Sequence, residues 1–244
     1  MGSDVLLILA GALSGGFVLG LTGFGNGLTA YGLWLHVLTP QISAPLVAIG
    51  SILGHLLMFR GFRHAMARDR ILPIVIGGLA GVPFGVWLLT VIEADTFRLF
   101  GGLLLAAYSF VSLVGGLRLR IAGKTPARDA LIGWLGGLCG GLASLSGPFM
   151  TVWCGLKGWT PDEQRAAYQP YNFAMLSAAL VGFGLAGFLT LELAYVASLS
   201  VPATLLGVWT GRMCYGRVNA MLFRKIVLIL LTTSGLMLVA QSLV

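Results

Sequence analysis

The stretch 20-GLTGFGNGLTAYG-32 places five glycines, two threonines and an asparagine within thirteen residues of an otherwise apolar region. A lipid-spanning helix needs about 20 predominantly apolar residues, and a glycine in a helix interior costs about 1 kcal/mol relative to alanine. Residues 5–38 therefore read as an apolar, glycine-studded helix, a break at 22-TGFGNG-27, and a short second helix of about ten residues. Ten helical residues rise only about 15 Å, half the hydrocarbon core.

The same pattern recurs at 129–157. Thr39-Pro40 and Thr160-Pro161 lie 121 positions apart. At that offset Gly16-x-x-x-Gly20 falls on Gly137-x-x-x-Gly141, and TGFGNG (22–27) falls on ASLSGP (143–148). At an offset of 126, GVPFG (81–85) falls on GVWTG (207–211), and Phe97-Arg98 on Phe223-Arg224. Between these marks run six apolar segments, 41–60, 70–92, 96–118, 166–189, 192–212 and 224–243, each long enough to span a bilayer. The reading is an all-α polytopic membrane protein of about eight hydrophobic segments. It is built from two repeats, 1–118 and 128–244, joined by a basic linker at 119–127. Each repeat is a broken-helix hairpin plus three spanning helices.

Composition agrees. Of 244 residues 57% are hydrophobic and only 9% charged, against about 25% charged in a soluble domain, so lipid is the expected solvent. The net charge of +7 comes without a basic stripe carrying interleaved aromatics, so no nucleic-acid partner is expected. The charge lies instead in short loops, where membrane proteins place it. If both broken regions are re-entrant and return to their own side, loops 60–70, 118–129, 157–165 and 212–225 share one face. That face then holds every Lys and Arg except Arg98, 14 of the 15. If each broken region crosses once, the split is 8 against 7. The first arrangement satisfies the positive-inside rule, makes the repeats inverted, and puts both termini outside. The opening MGSD has no basic n-region, so no cleavable leader is expected. Cys139, Cys154 and Cys214 lack CxxC spacing, which implies neither a disulfide framework nor a metal site. No cofactor is expected.

At each break the backbone leaves the helix within the membrane, which is tolerated only where protein or a watery cavity satisfies it. The half-helix after each break aims free N–H groups and a positive dipole end at that point, a site suited to an anion. Asn26 is expected to cap the first half-helix, while Ser146 and Gly147 precede Pro148 at the second. Candidate substrate ligands are Thr22, Gly23, Gly25, Asn26 and Gly27 at one tip, and Ser144, Ser146, Gly147 and Pro148 at the other. Gly25 and its neighbours let a ligand approach the backbone closely. Ser51 aligns with Asn172 at the 121 offset, and these two, with Gln169 and Tyr171, are candidate side-wall ligands. His55 is a candidate proton relay. The glycines at 16, 20, 81, 85, 137, 141, 207 and 211 are read as helix-packing positions.

The doubled glycine-rich hairpin segments, each followed by Thr-Pro in a small multi-pass chain, resemble the sulfite exporter TauE/SafE family over nearly the whole sequence. The resemblance implies transport of sulfite, sulfonates such as sulfoacetate, or related oxyanions across the bacterial cytoplasmic membrane, usually outward. It implies a substrate region at Thr22–Gly27 and Ser144–Pro148. The two tips differ, Gly27 standing where the other has Pro148. The partners implied are a small anion and the lipid bilayer; a homodimer is left open. A passive anion channel is the nearest alternative. An intramembrane hydrolase is more distant: SLSG (144–147) resembles a rhomboid serine motif, but all three histidines lie upstream of it, and such a serine needs a base within hydrogen-bond reach. No enzyme activity is expected.

Overall fold

The computed structural model describes residues 2–58, 68–113, 121, 123, 125–215 and isolated positions between 228 and 240. Among the described residues the chain forms α1 (Gly2–Thr22), α2 (Asn26–Trp34), α3 (Pro40–Met58), α4 (Arg68–Val91), α5 (Ala94–Leu113), α6 (Pro126–Ala143), α7 (Gly147–Leu156), α8 (Pro161–Leu185) and α9 (Leu191–Cys214), with no strand. The sequence signals explain several starts. Pro40, Pro126 and Pro161 occupy first-turn positions, where a missing N–H costs nothing. Thr160 and Glu163 form a reciprocal capping box, and Thr190 caps α9 by accepting from Leu193 N.

Both expected breaks are present. Gly23–Gly25 separates α1 from α2, and Ser144–Ser146 separates α6 from α7. The backbone turns through the left-handed region at Gly23 (φ 87°) and at its counterpart Ser144 (φ 54°). After the first break α2 doubles back along α1: Gly15 faces Asn26 and Ala30, and the Trp34 indole N–H donates to Ile8 O at 2.9 Å. The base of the second hairpin is tied by a buried polar cluster. There the Trp153 indole donates to Asp129 Oδ1 at 2.8 Å, and Lys157 Nζ lies 3.4 Å from the same oxygen.

The helices pair across the repeats. α1 packs along α9 and α4 along α6, and both seams are lined by glycine. A Cβ at Gly16 or Gly20 would collide with the backbone of Thr204 or Val208, and one at Gly207 or Gly211 with that of Leu13 or Phe17. In the other seam Gly81, Gly85, Gly137 and Gly141 each abut backbone of the facing helix. Exchanging α1–α4 with α6–α9 converts the principal pairs into one another: α1·α9 into α6·α4, α1·α2 into α6·α7, α2·α3 into α7·α8, and α3·α9 into α8·α4. The α3·α8 pair maps onto itself and lies at the centre.

Five described helices are long and apolar enough to cross a membrane: Ser3–Thr22, Pro40–Met58, Ile71–Val91, Ala94–Val111 and Leu191–Cys214. Two of the expected segments behave differently. The first arm of the hairpin at 5–38 is by itself of spanning length, at about 31 Å for 21 residues. The segment expected at 166–189 lies in the 25-residue α8, which has the length to span but falls outside the apolar set. It carries Tyr168, Gln169, Tyr171 and Asn172, which turn toward the protein interior. Most of the expected span 224–243, and most of loops 60–70 and 212–225, lie outside the described residues. Large apolar side chains such as Trp87, Phe110, Leu185 and Leu191 face outward, as lipid requires.

Candidate functional site

The two hairpin tips meet. Gly27, in the first turn of α2, packs on Leu145 of the other tip, and Gly147, opening α7, packs on Phe24. Phe24 and Leu145 are equivalents at the 121 offset, so each tip lays its apolar residue over the other's first helical turn. Three hydrogen bonds fix the arrangement. The Tyr31 hydroxyl donates to Ala143 O, the Ser144 hydroxyl to Ala44 O at 2.8 Å, and the Tyr168 hydroxyl to Thr22 O at 3.1 Å.

Between the tips lies a small cavity, about 20 Å³ measured as space open to the centre of a water molecule, enough for one water. Gly25, Asn26, Gly27, Ser51, His55, Ser144, Ser146, Gly147, Pro148 and Asn172 line it. Ten of the fourteen residues expected to form a site, counting His55, are thus brought to one place. The six polar side chains among them are all more than nine-tenths buried. No Asp, Glu, Lys or Arg lines the cavity, and no metal-binding group of His, Cys, Asp and Glu occurs among the described residues.

The wall contacts are reciprocal. On one side Asn26 Nδ2 of the hairpin donates to Ser51 Oγ of α3 at 2.9 Å. On the other, Ser146 Oγ of the hairpin donates to Asn172 Oδ1 of α8, also at 2.9 Å. Ser51 and Asn172 are equivalents at the 121 offset, whereas Asn26 falls on Gly147, so an Asn–Ser bond joins tip to wall on each side from tip positions one residue out of register.

Asn26 does not cap α2. Gly25 occupies the cap position in the left-handed region (φ 94°), where glycine carries no Cβ penalty. Asn26 becomes the first helical residue, and its side chain crosses to α3 instead. Ser146 does occupy the cap position of α7, but its hydroxyl is committed to Asn172 rather than to the helix. Both first turns still present backbone N–H groups without intrahelical partners. In α2 these are on Asn26, Gly27 and Leu28; in α7 they are on Gly147 and Phe149, Pro148 having none.

Four expected ligands lie outside the cavity. The Thr22 hydroxyl is used within its own tip, donating toward Val18 O and Phe24 O. Gly23 supplies the turn. Tyr171 donates to Gly133 O of α6 at 3.0 Å, and Gln169 is buried in α8 away from the lining. The residues that the sequence reading missed are the apolar part of the lining: Leu19, Phe24, Leu28, Leu145 and Leu176. Carrying the 121 offset one turn beyond the Ser51/Asn172 match pairs His55 with Leu176, a signal that was available.

The cavity gathers neutral polar side chains from both hairpin tips and from α3 and α8, and the first turns of α2 and α7 both border it. The profile of the family described as sulfite exporter TauE/SafE matches residues 7–238. The chain belongs to the sulfite exporter TauE/SafE family. It is accordingly a membrane transporter of the sulfite-exporter type. No curated protein and no solved structure matches it. In this TauE/SafE chain the two tips span the breaks at Gly23–Gly25 and Ser144–Ser146, both well inside the matched region.

Proposed function

We propose that this chain exports small sulfur oxyanions, such as sulfite or organosulfonates, across the bacterial cytoplasmic membrane by alternating access around the cavity between the tips. The observation that carries the reading is the convergence of donors from both hairpins on one buried, cation-free cavity. Backbone N–H groups of the two half-helices take the oxyanion, while Ser51, Ser144, Ser146 and the two asparagines supply further hydrogen bonds. Without a fixed positive side chain the cavity suits a single negative charge better than two, because desolvating a second charge would go unrepaid. The two repeats, inverted about the central α3·α8 pair, rock against each other so that the site opens to one side at a time.

The carrier reading is favoured over a channel by the closure of the cavity to the volume of about one water. A carrier must enlarge it to admit substrate, whereas a channel keeps a continuous path. Export of one net negative charge from a negative interior, unaccompanied by a counter-ion, gains about 2.3 kcal/mol per 100 mV, so the membrane potential favours efflux of an uncoupled anion.

Transport into proteoliposomes tests this directly. Sulfite or sulfoacetate flux should saturate with concentration and show counterflow. Asn26→Leu and Ser146→Leu should each abolish it while the protein remains folded in the membrane. Unsaturable flux would point to a channel, and normal flux in both variants would sink the tip site.

A further inference from the structure

We propose that His55 takes up one proton each time an anion enters the cavity, so that anion and proton are carried together. The inference rests on the anion-site reading above and adds the coupling ion to it.

His55 lies in the last turn of α3 and lines the cavity at 3% exposure. Its Nδ1 is buried without a hydrogen-bond partner. A buried polar atom left unpaired costs about 1–3 kcal/mol, and such atoms in folded proteins call for an explanation. The imidazole that carries this nitrogen lines the cavity between the tips, where the first turns of α2 and α7 converge. A neutral imidazole has one N–H, and the protonated ring has two and a charge. Protonation therefore converts an idle edge of the cavity into a charge-assisted donor to an oxyanion. Ser51 stands one turn earlier on the same face of α3 and already joins that wall to Asn26.

Among the described residues no other ionisable side chain lines the cavity. On the helices packed against α3, the described charged groups Asp4, Arg128, Asp129, Glu163, Glu192 and Arg212 all lie near helix ends. Arg212 is the nearest of these to His55 along α3, and it donates to Leu57 O, outside the lining. Tyr31, Tyr168 and Tyr171 donate to backbone carbonyls, and Cys139 and Cys214 lie outside the lining.

The pseudo-symmetry sharpens the point. Ser51 and Asn172 match as polar wall residues, but one turn on, His55 matches Leu176, and both line the cavity. The titratable group is thus present on one wall only, which gives one proton per anion. The carried complex is then electrically neutral. The membrane potential no longer drives it, and the anion and pH gradients decide direction.

The test is calorimetric binding of methanesulfonate, whose charge is fixed at −1, to the full-length protein in detergent. It is run from about pH 5 to 8, across the usual histidine range, in buffers of differing ionisation enthalpy. The wild type should take up close to one proton per anion bound. Its Kd should weaken by up to about tenfold per pH unit above the imidazole titration. His55→Gln should bind with a pH-independent Kd and no proton uptake. Binding by the wild type without proton uptake, or uptake that persists in His55→Gln, overturns the inference and leaves the anion site standing. Absence of binding at every pH, with sulfite equally inert, overturns the site and the inference with it. If His55→Gln does not fold, the wild-type proton count decides alone.

Discussion

At the scale of single residues, two Asn–Ser bonds join the hairpin tips to the walls of the cavity. Each joins a buried hydroxyl to a buried amide; the Asn26 amide also donates to Val47 O at 3.4 Å, and its Oδ1 is left without a partner. Removing one member strands the other, at a cost of about 1–3 kcal/mol for a buried polar group. Asn172→Ala should therefore lower the thermal unfolding midpoint by several degrees and reduce anion flux, and Ser51→Ala should do the same from the opposite wall. Unchanged stability in both would mean that neither bond is made. That these residues turn away from lipid was legible from polarity in an apolar segment, but their bonds were not. With glycines at 23, 25 and 27 the sequence leaves open which one turns left-handed before α2. Placing that turn at Gly25 moves Asn26 from cap to first helical residue and redirects its amide to α3. The Thr22 and Tyr171 hydroxyls are taken up by backbone carbonyls outside the cavity lining, since a hydroxyl near a break is as useful to the backbone as to a ligand.

At the scale of elements, the glycine seams were legible in most of their positions, because GxxxG spacing leaves one helix face bare and only another backbone fills it; Gly77 and Gly133, which extend the α4·α6 seam by a turn, were not read from it. What spacing alone did not give was the partner: α1 lies on α9 and α4 on α6, each seam joining the two repeats. Gly137 faces the backbone of Gly78, so a side chain there must push α4 and α6 apart. Gly137→Leu should destabilise by about 3 kcal/mol and abolish folding into a monodisperse species on size exclusion. Gly155, on α7, has open space where a Cβ would sit. Gly155→Ala should be neutral or stabilising by up to about 1 kcal/mol. Equal effects of the two substitutions on unfolding would contradict close backbone contact as the role of the seams. The length of α8 was legible, but its departure from a simple span comes from tertiary demand. Its polar residues are withdrawn from lipid and spent on the tips and on α6.

At the scale of the whole molecule, the principal helix pairs exchange with one another around α3·α8. The exchange brings two breaks that lie far apart in sequence to a single cavity. The sequence could signal that both tips are unusual. It could not signal that they touch, because contact depends on Phe24 and Leu145 crossing over to cover the opposite helix start. That crossing makes the central claim testable: one anion site is built jointly by both hairpins. The most direct measurement is the thermal stabilisation of purified protein by sulfite and by sulfoacetate, compared among wild type, Asn26→Leu and Ser146→Leu. A ligand that binds only the folded state at 100 times its Kd adds about 2.7 kcal/mol of apparent stability. A joint site predicts stabilisation of the wild type by at least one of the anions, with the response lost in either variant alone. Stabilisation that survives in both variants, or is lost in only one of them, would contradict it.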